Sequence, residues 1–195
     1  MSTSVMTDRI AQAQPRLYAR AAGALYLIVI VGGTFAEMFV RGRPVVHGDA
    51  AATAHNIQAH ELLYRLGFVV ELFYCVCNVP LILSLYKLFK VVNKNVALMM
   101  VFFGFVTNAI ESVGLLAHFA PLLLLGSGHD LSAFTAEQLQ AAAYLSVQMF
   151  EHGFAICLVF FGFDCLTMAY LIVHSKFLPR LIGVLLAIEG LGYLK

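Results

Sequence analysis

Long apolar runs alternate along this chain with short polar breaks. Four runs, at about Ala21–Val40, Glu61–Phe89, Val96–Leu125 and Tyr144–His174, reach the roughly 20 residues that carry a helix across a bilayer. A fifth, Leu181–Leu194, is shorter and holds Glu189. The breaks are polar or basic: Arg41–Arg65, Lys87–Lys94, Gly126–Gln140 and Ser175–Arg180. This pattern predicts an all-α protein, a polytopic transmembrane helical bundle of about five spans plus a short surface helix. Residues 1–20 read as a basic cytoplasmic N-terminal segment and residues 21–195 as a single transmembrane helical domain.

Local signals refine the elements. Asp49 stands where it would cap the alanine-rich AAATAHNIQAHE, and Thr135 with Gln138 has the spacing of a capping box. Pro80 is expected to kink the second span, and Gly32–Gly33 to let another helix approach the first. Glu37 and Arg41, one turn apart, suit an ion pair at the interface. In the N-terminal segment, Thr7 or Asp8 is placed to cap a surface helix that Pro15 would interrupt. A plain basic tail around Arg9, Arg16 and Arg20 is the simpler reading. The first apolar run begins near Ala21 with no small-residue cleavage site after it, so it reads as a span and not a secretory signal.

Composition sharpens this picture. The chain is 61% hydrophobic and 12% charged, with mean hydropathy +0.86, whereas a soluble domain is about a quarter charged. A net charge of +1 gives no footprint for nucleic acid. Cys75, Cys77, Cys157 and Cys165 lie in apolar runs without CxxC spacing and read as small apolar fillers. His47, His55 and His60 fall in a polar segment, the last two off a common helical face, and read as solvent-facing. Lysine and arginine counts set an orientation. With the N-terminus inside, the inner segments hold Arg9, Arg16, Arg20, Lys87, Lys90, Lys94, Lys176 and Arg180, against Arg41, Arg43, Arg65 and Lys195 outside. The positive-inside rule therefore predicts a cytoplasmic N-terminus.

The candidate chemistry is a set of polar residues inside the apolar runs. Glu71, Cys75 and Asn78 share a helical face, as do Gly104, Asn108, Glu111 and His118. The fourth run carries Gln148 and Glu151 on one face, with His152 one position round. At about 1.5 Å of rise per residue, Glu71, Glu151 and Glu111 lie roughly nine, ten and thirteen residues below the outer helix ends. His118 and Glu189 come nearer that surface, and Asn78 and Asn108 share a level just below the carboxylates. The expectation is one intramembrane polar cluster of Glu71, Asn78, Asn108, Glu111, His118, Gln148, Glu151, His152 and Glu189. Asp164 lies on the inner side, apart from it, and calls for its own partner.

Three functional classes remain open. The groups can bond to one another and hold the helices together, as in a non-catalytic membrane subunit or interaction protein. They can form a transporter or a proton or cation pathway through Glu71, Glu111 and Glu151, since Glu and His are the usual relay residues in membranes. They can bind a metal in a membrane enzyme, with Glu71, Glu111, His118, Glu151 and His152 as candidates. Glu111 and His118 are about 10.5 Å apart along one helix, too far to chelate one ion from that helix alone. Haem between His118 and His152 is compatible with their separate spans, though nothing else indicates a cofactor. No serine elbow or glycine-rich phosphate loop is present, and the balance leans away from an enzyme. Partners are the lipid bilayer and, left open, a second copy or another membrane protein.

Several segments resemble one family in order and spacing. They are ARAAGALYLIVIVGGTFAEMFVR at Ala19–Arg41, GDAAATAHNIQAHELLYRLGFVVEL at Gly48–Leu72, HGFAICLVFFGFDCLTMAYLI at His152–Ile172 and FLPRLIGVLLAIEGLGYL at Phe177–Leu194. Together they resemble the bacterial multi-pass membrane proteins called domain of unknown function 4386. The resemblance implies a helical membrane bundle in a bacterial inner membrane, and it carries over no activity and no catalytic residue. Members of that family continue into a further span beyond the stretch matched by Gly192–Tyr193. This chain ends at Lys195, so the expectation is a naturally short or truncated chain with an under-length last helix.

Overall fold

The computed structural model describes residues 2–41, 44–126 and 131–195, with side chains described within 18–38, 44–126 and 131–195. The Glu37–Arg41 pair, a cap at Thr7 or Asp8 and the GSGHD turn fall wholly or partly outside them. Among the described residues the order is α1 (Ser2–Phe35), a π-helical turn at Ala36–Arg41, α2 (Ala50–Ala59), α3 (Glu61–Phe89), α4 (Lys94–Leu124), α5 (Ala136–His174) and α6 (Arg180–Tyr193). There is no strand among them, as the apolar pattern predicts.

Helix boundaries follow from capping chemistry. Asp49 Oδ1 accepts from Ala52 N at 2.8 Å, and Gly48 reaches it with φ +83°, a left-handed conformation that favours glycine. Asn93 Oδ1 accepts from the backbone N–H groups of Asn95 and Val96 and starts α4. The Thr135–Gln138 box closes both ways. Thr135 N donates to Gln138 Oε1 at 2.9 Å, and Gln138 N donates to Thr135 Oγ1 at 3.3 Å. The Ser84 hydroxyl donates to the Pro80 carbonyl one turn earlier.

Four helical stretches are long and apolar enough to cross a membrane: Tyr18–Met38, Glu61–Phe89, Lys94–Leu124 and Ala136–His174. The fifth apolar run forms the under-length helix that its shortness predicts. Its helix, α6, has 14 residues, about 21 Å at the usual rise, against roughly 30 Å of hydrocarbon. The N-terminal segment differs from expectation, because α1 begins at Ser2 and runs without a break into the first span.

Burial is inverted relative to a water-soluble protein. Leu62, Val113 and Leu116 are each about two-thirds or more exposed, while Glu71 is 0% and His118 2% exposed. Apolar side chains facing outward from helices of spanning length fit hydrocarbon as their surroundings.

The residues form two compact units. The first comprises Met1–Ile28, Cys77–Asn108 and Cys157–Lys195. Its core packs Phe89, Met100, Leu171 and Ile172, and α6 lies on α5 through glycines. A Cβ at Gly190 would stand 2.8 Å from the Gly162 carbonyl oxygen, and one at Gly183 would stand 3.0 Å from that of Ala169. Side chains at either position would push the helices apart. The second unit comprises Val29–Val76 and Ala109–Ile156. Ile57, Tyr64, Leu122 and Val147 form one cluster there, and Tyr74, Cys75, Leu115 and Phe150 another. In this unit Gly32 lies against Tyr74 and Val70, while Gly33 faces open space.

Candidate functional site

In the second unit, α3 and α4 bring together three of the ionisable residues singled out by the sequence. His118 Nδ1 lies 3.3 Å from Glu71 Oε2, with both side chains buried. The Tyr74 hydroxyl donates to Glu111 Oε1. Residues 71 and 74 ascend α3 while 118 and 111 descend α4, so the two contacts form an antiparallel ladder. A Glu–His pair suits an apolar interior because carboxylic acid with imidazole, and carboxylate with imidazolium, are both neutral overall. The site avoids an uncompensated buried charge in either form.

Aromatic rings enclose the imidazole. Tyr64 stacks on His118 with centroids 4.4 Å apart and planes 27° apart. Phe150 of α5 meets it edge-on at 5.1 Å and 89°, and Phe68 lies tilted at 6.3 Å. Gly114, one turn before His118, faces the same Phe150 ring, which a Cβ there would meet at an ordinary contact distance of 3.4 Å. Stacked and edge-on rings each add about 0.5–1.5 kcal/mol beyond burial. The α3 residues recur at helical spacing, with Tyr64 seven and Phe68 three positions before Glu71. Extending the polar stripe of α3 toward its N-terminus would have found them. Phe150 had no such signal, being one ring among many in a greasy helix.

The other predicted residues lie elsewhere. Glu151 and His152 are exposed on α5, and Gln148 is half-buried. Asn78 and Asn108 belong to the first unit, where Asn78 Nδ2 donates to Asn108 Oδ1 at 3.2 Å. Glu189, in the same unit, is exposed and accepts from the Tyr193 hydroxyl at 3.3 Å. Asp164 is buried in that unit, and its Oδ1 has no hydrogen-bond partner among the described residues, so the partner expected for it is not found there. Its other oxygen lies over Gly104, 3.7 Å from where a Cβ would stand.

Of the metal candidates, Glu71 and His118 are in contact. Among the described residues no three His, Cys, Asp or Glu side chains converge to hold an ion, whereas zinc sites use three or four protein ligands. His118 is enclosed by rings and His152 is exposed. His47, His55 and His60 are exposed. None of the four cysteines forms a disulfide, and Cys75, Cys157 and Cys165 are buried.

An all-α chain with four spanning helices, an outward apolar surface and an enclosed polar pair defines a polytopic integral membrane protein. Its family model matches residues 21–195, and the chain belongs to the family described as Domain of unknown function (DUF4386). No curated protein and no solved structure matches it.

Proposed function

We propose that this is a non-catalytic integral membrane protein, a subunit or interaction partner, whose polar groups in the second unit serve to fix α3 against α4. One observation carries this reading: Glu71 is fully buried and taken up by His118, inside rings that close the imidazole from three sides. Glu111 is likewise engaged by Tyr74. Groups committed to one another in this way act as glue between spans. The lysine and arginine distribution supports a cytoplasmic N-terminus, and the family resemblance supports a bacterial inner membrane.

A second reading, a proton or cation pathway, draws on the same Glu71–His118 contact, because a pair that shares a proton is also relay material. Proteoliposomes given a pH step separate the two. The structural reading predicts internal pH following empty liposomes, with Glu71→Gln indistinguishable from the natural protein. Flux above that background that disappears in Glu71→Gln would overturn it in favour of the relay.

A further inference from the structure

We infer that a groove in the first unit is a seat for one anionic phospholipid, with acyl chains along its apolar wall and headgroup phosphate at Lys87 and Lys90. The cavity encloses about 1070 Å³, at the upper limit of the roughly 300–1,000 Å³ that hold drug-sized ligands. Its wall is apolar, with Leu85, Met168, Ile172 and Leu186 contributed by α3, α5 and α6. Tyr18, Ala19, Ala22, Gly23 and Tyr26 of α1 line it as well. The two lysines stand three positions apart at the end of α3 and are both exposed.

The distribution of charge selects the occupant. Both ammonium groups lie at the basic helix end, and hydrocarbon lines the remainder, which matches an amphiphile with an anionic head. Basic pockets between spanning helices are the usual seats of such headgroups. Tyr18 organises the cationic end. Its hydroxyl lies 3.1 Å from Lys87 Nζ, which also stands 4.5 Å from the ring centroid. That contact restricts the lysine to the groove mouth, where a phosphate oxygen can accept from it. Gly23 leaves the α1 side open, since a Cβ there would meet nothing within 4 Å.

The test uses the full chain in nanodiscs of equal phosphatidylcholine and phosphatidylglycerol, released into native mass spectrometry to identify the lipid that stays bound. The natural protein is expected to retain phosphatidylglycerol about thirtyfold over phosphatidylcholine, as two basic residues near an anionic headgroup supply. Lys87→Gln/Lys90→Gln, at exposed positions, should retain lipid with that preference gone. Gly23→Phe should lower the number of lipids retained while its melting temperature stays unchanged. Equal retention of both lipids by the natural protein would overturn the assignment. So would a preference surviving in the double lysine variant, or one abolished by excess inorganic phosphate.

Discussion

At the scale of single residues, the Glu71–His118 contact and Asp164 present opposite cases of a buried ionisable group. Glu71 has an imidazole partner and Asp164 Oδ1 has no hydrogen-bond partner among the described residues. His118→Phe keeps a ring between Tyr64 and Phe150 and removes the imidazole contact of Glu71. In water-soluble proteins such a loss costs about 3–5 kcal/mol. In a bilayer the unfolded helices also find partners, which brings interhelical polar contacts down to about 0.6–2 kcal/mol. The second figure applies here, so His118→Phe should lower unfolding stability in mixed micelles by about 1–2 kcal/mol. Asp164→Asn keeps the side-chain shape and removes a group that is costly to ionise in apolar surroundings. Its melting temperature should equal or exceed that of the natural protein, and a marked fall would reveal an ionic partner for Asp164. The sequence made Glu71, Glu111 and His118 visible because a polar letter stands out in an apolar run. Tyr64, Tyr74 and Phe150 complete the site yet blend into a chain with 8 tyrosines and 16 phenylalanines.

Among the elements, glycine positions separate packing from flexibility. Gly190 has a carbonyl oxygen 2.8 Å from where its Cβ would stand, and Gly33 has nothing within 4 Å. Gly190→Ala should therefore destabilise by about 1–3 kcal/mol through overpacking against α5. Gly33→Ala should be neutral or stabilising by up to about 1 kcal/mol, the helix-propensity gain. Thermal unfolding of both variants in one detergent checks the contrast, and equal shifts would contradict it. Helix ends were the most legible part of the fold, because capping is local chemistry. Asp49, the Thr135–Gln138 box and the limits of α3 at Glu61 and Phe89 all follow from short sequence signals. The reach of α6 was equally legible, since the apolar run Leu181–Leu194 matches the helix Arg180–Tyr193 to one residue at each end. The outward placement of Glu151 and His152 on α5 was not legible. Depth along a helix is set by counting residues, whereas the direction of a side chain depends on which neighbours the helix packs against.

For the molecule as a whole, patterning fixed the class, and the distribution of lysine and arginine supplies the proposed orientation. In a cysteine-free background, Ser132→Cys should react with a membrane-impermeant maleimide from the outer side of oriented vesicles. Asn95→Cys should react only after permeabilisation, and the reverse would invert the topology. The central claim is that the enclosed Glu71–His118 pair holds α3 to α4. The most direct test is a double-mutant cycle of Glu71→Gln and His118→Phe on unfolding free energy in mixed micelles. The two residues should couple by about 1 kcal/mol, so that the double variant loses less stability than the single losses summed. Strictly additive losses, or single variants as stable as the natural protein, would contradict the claim.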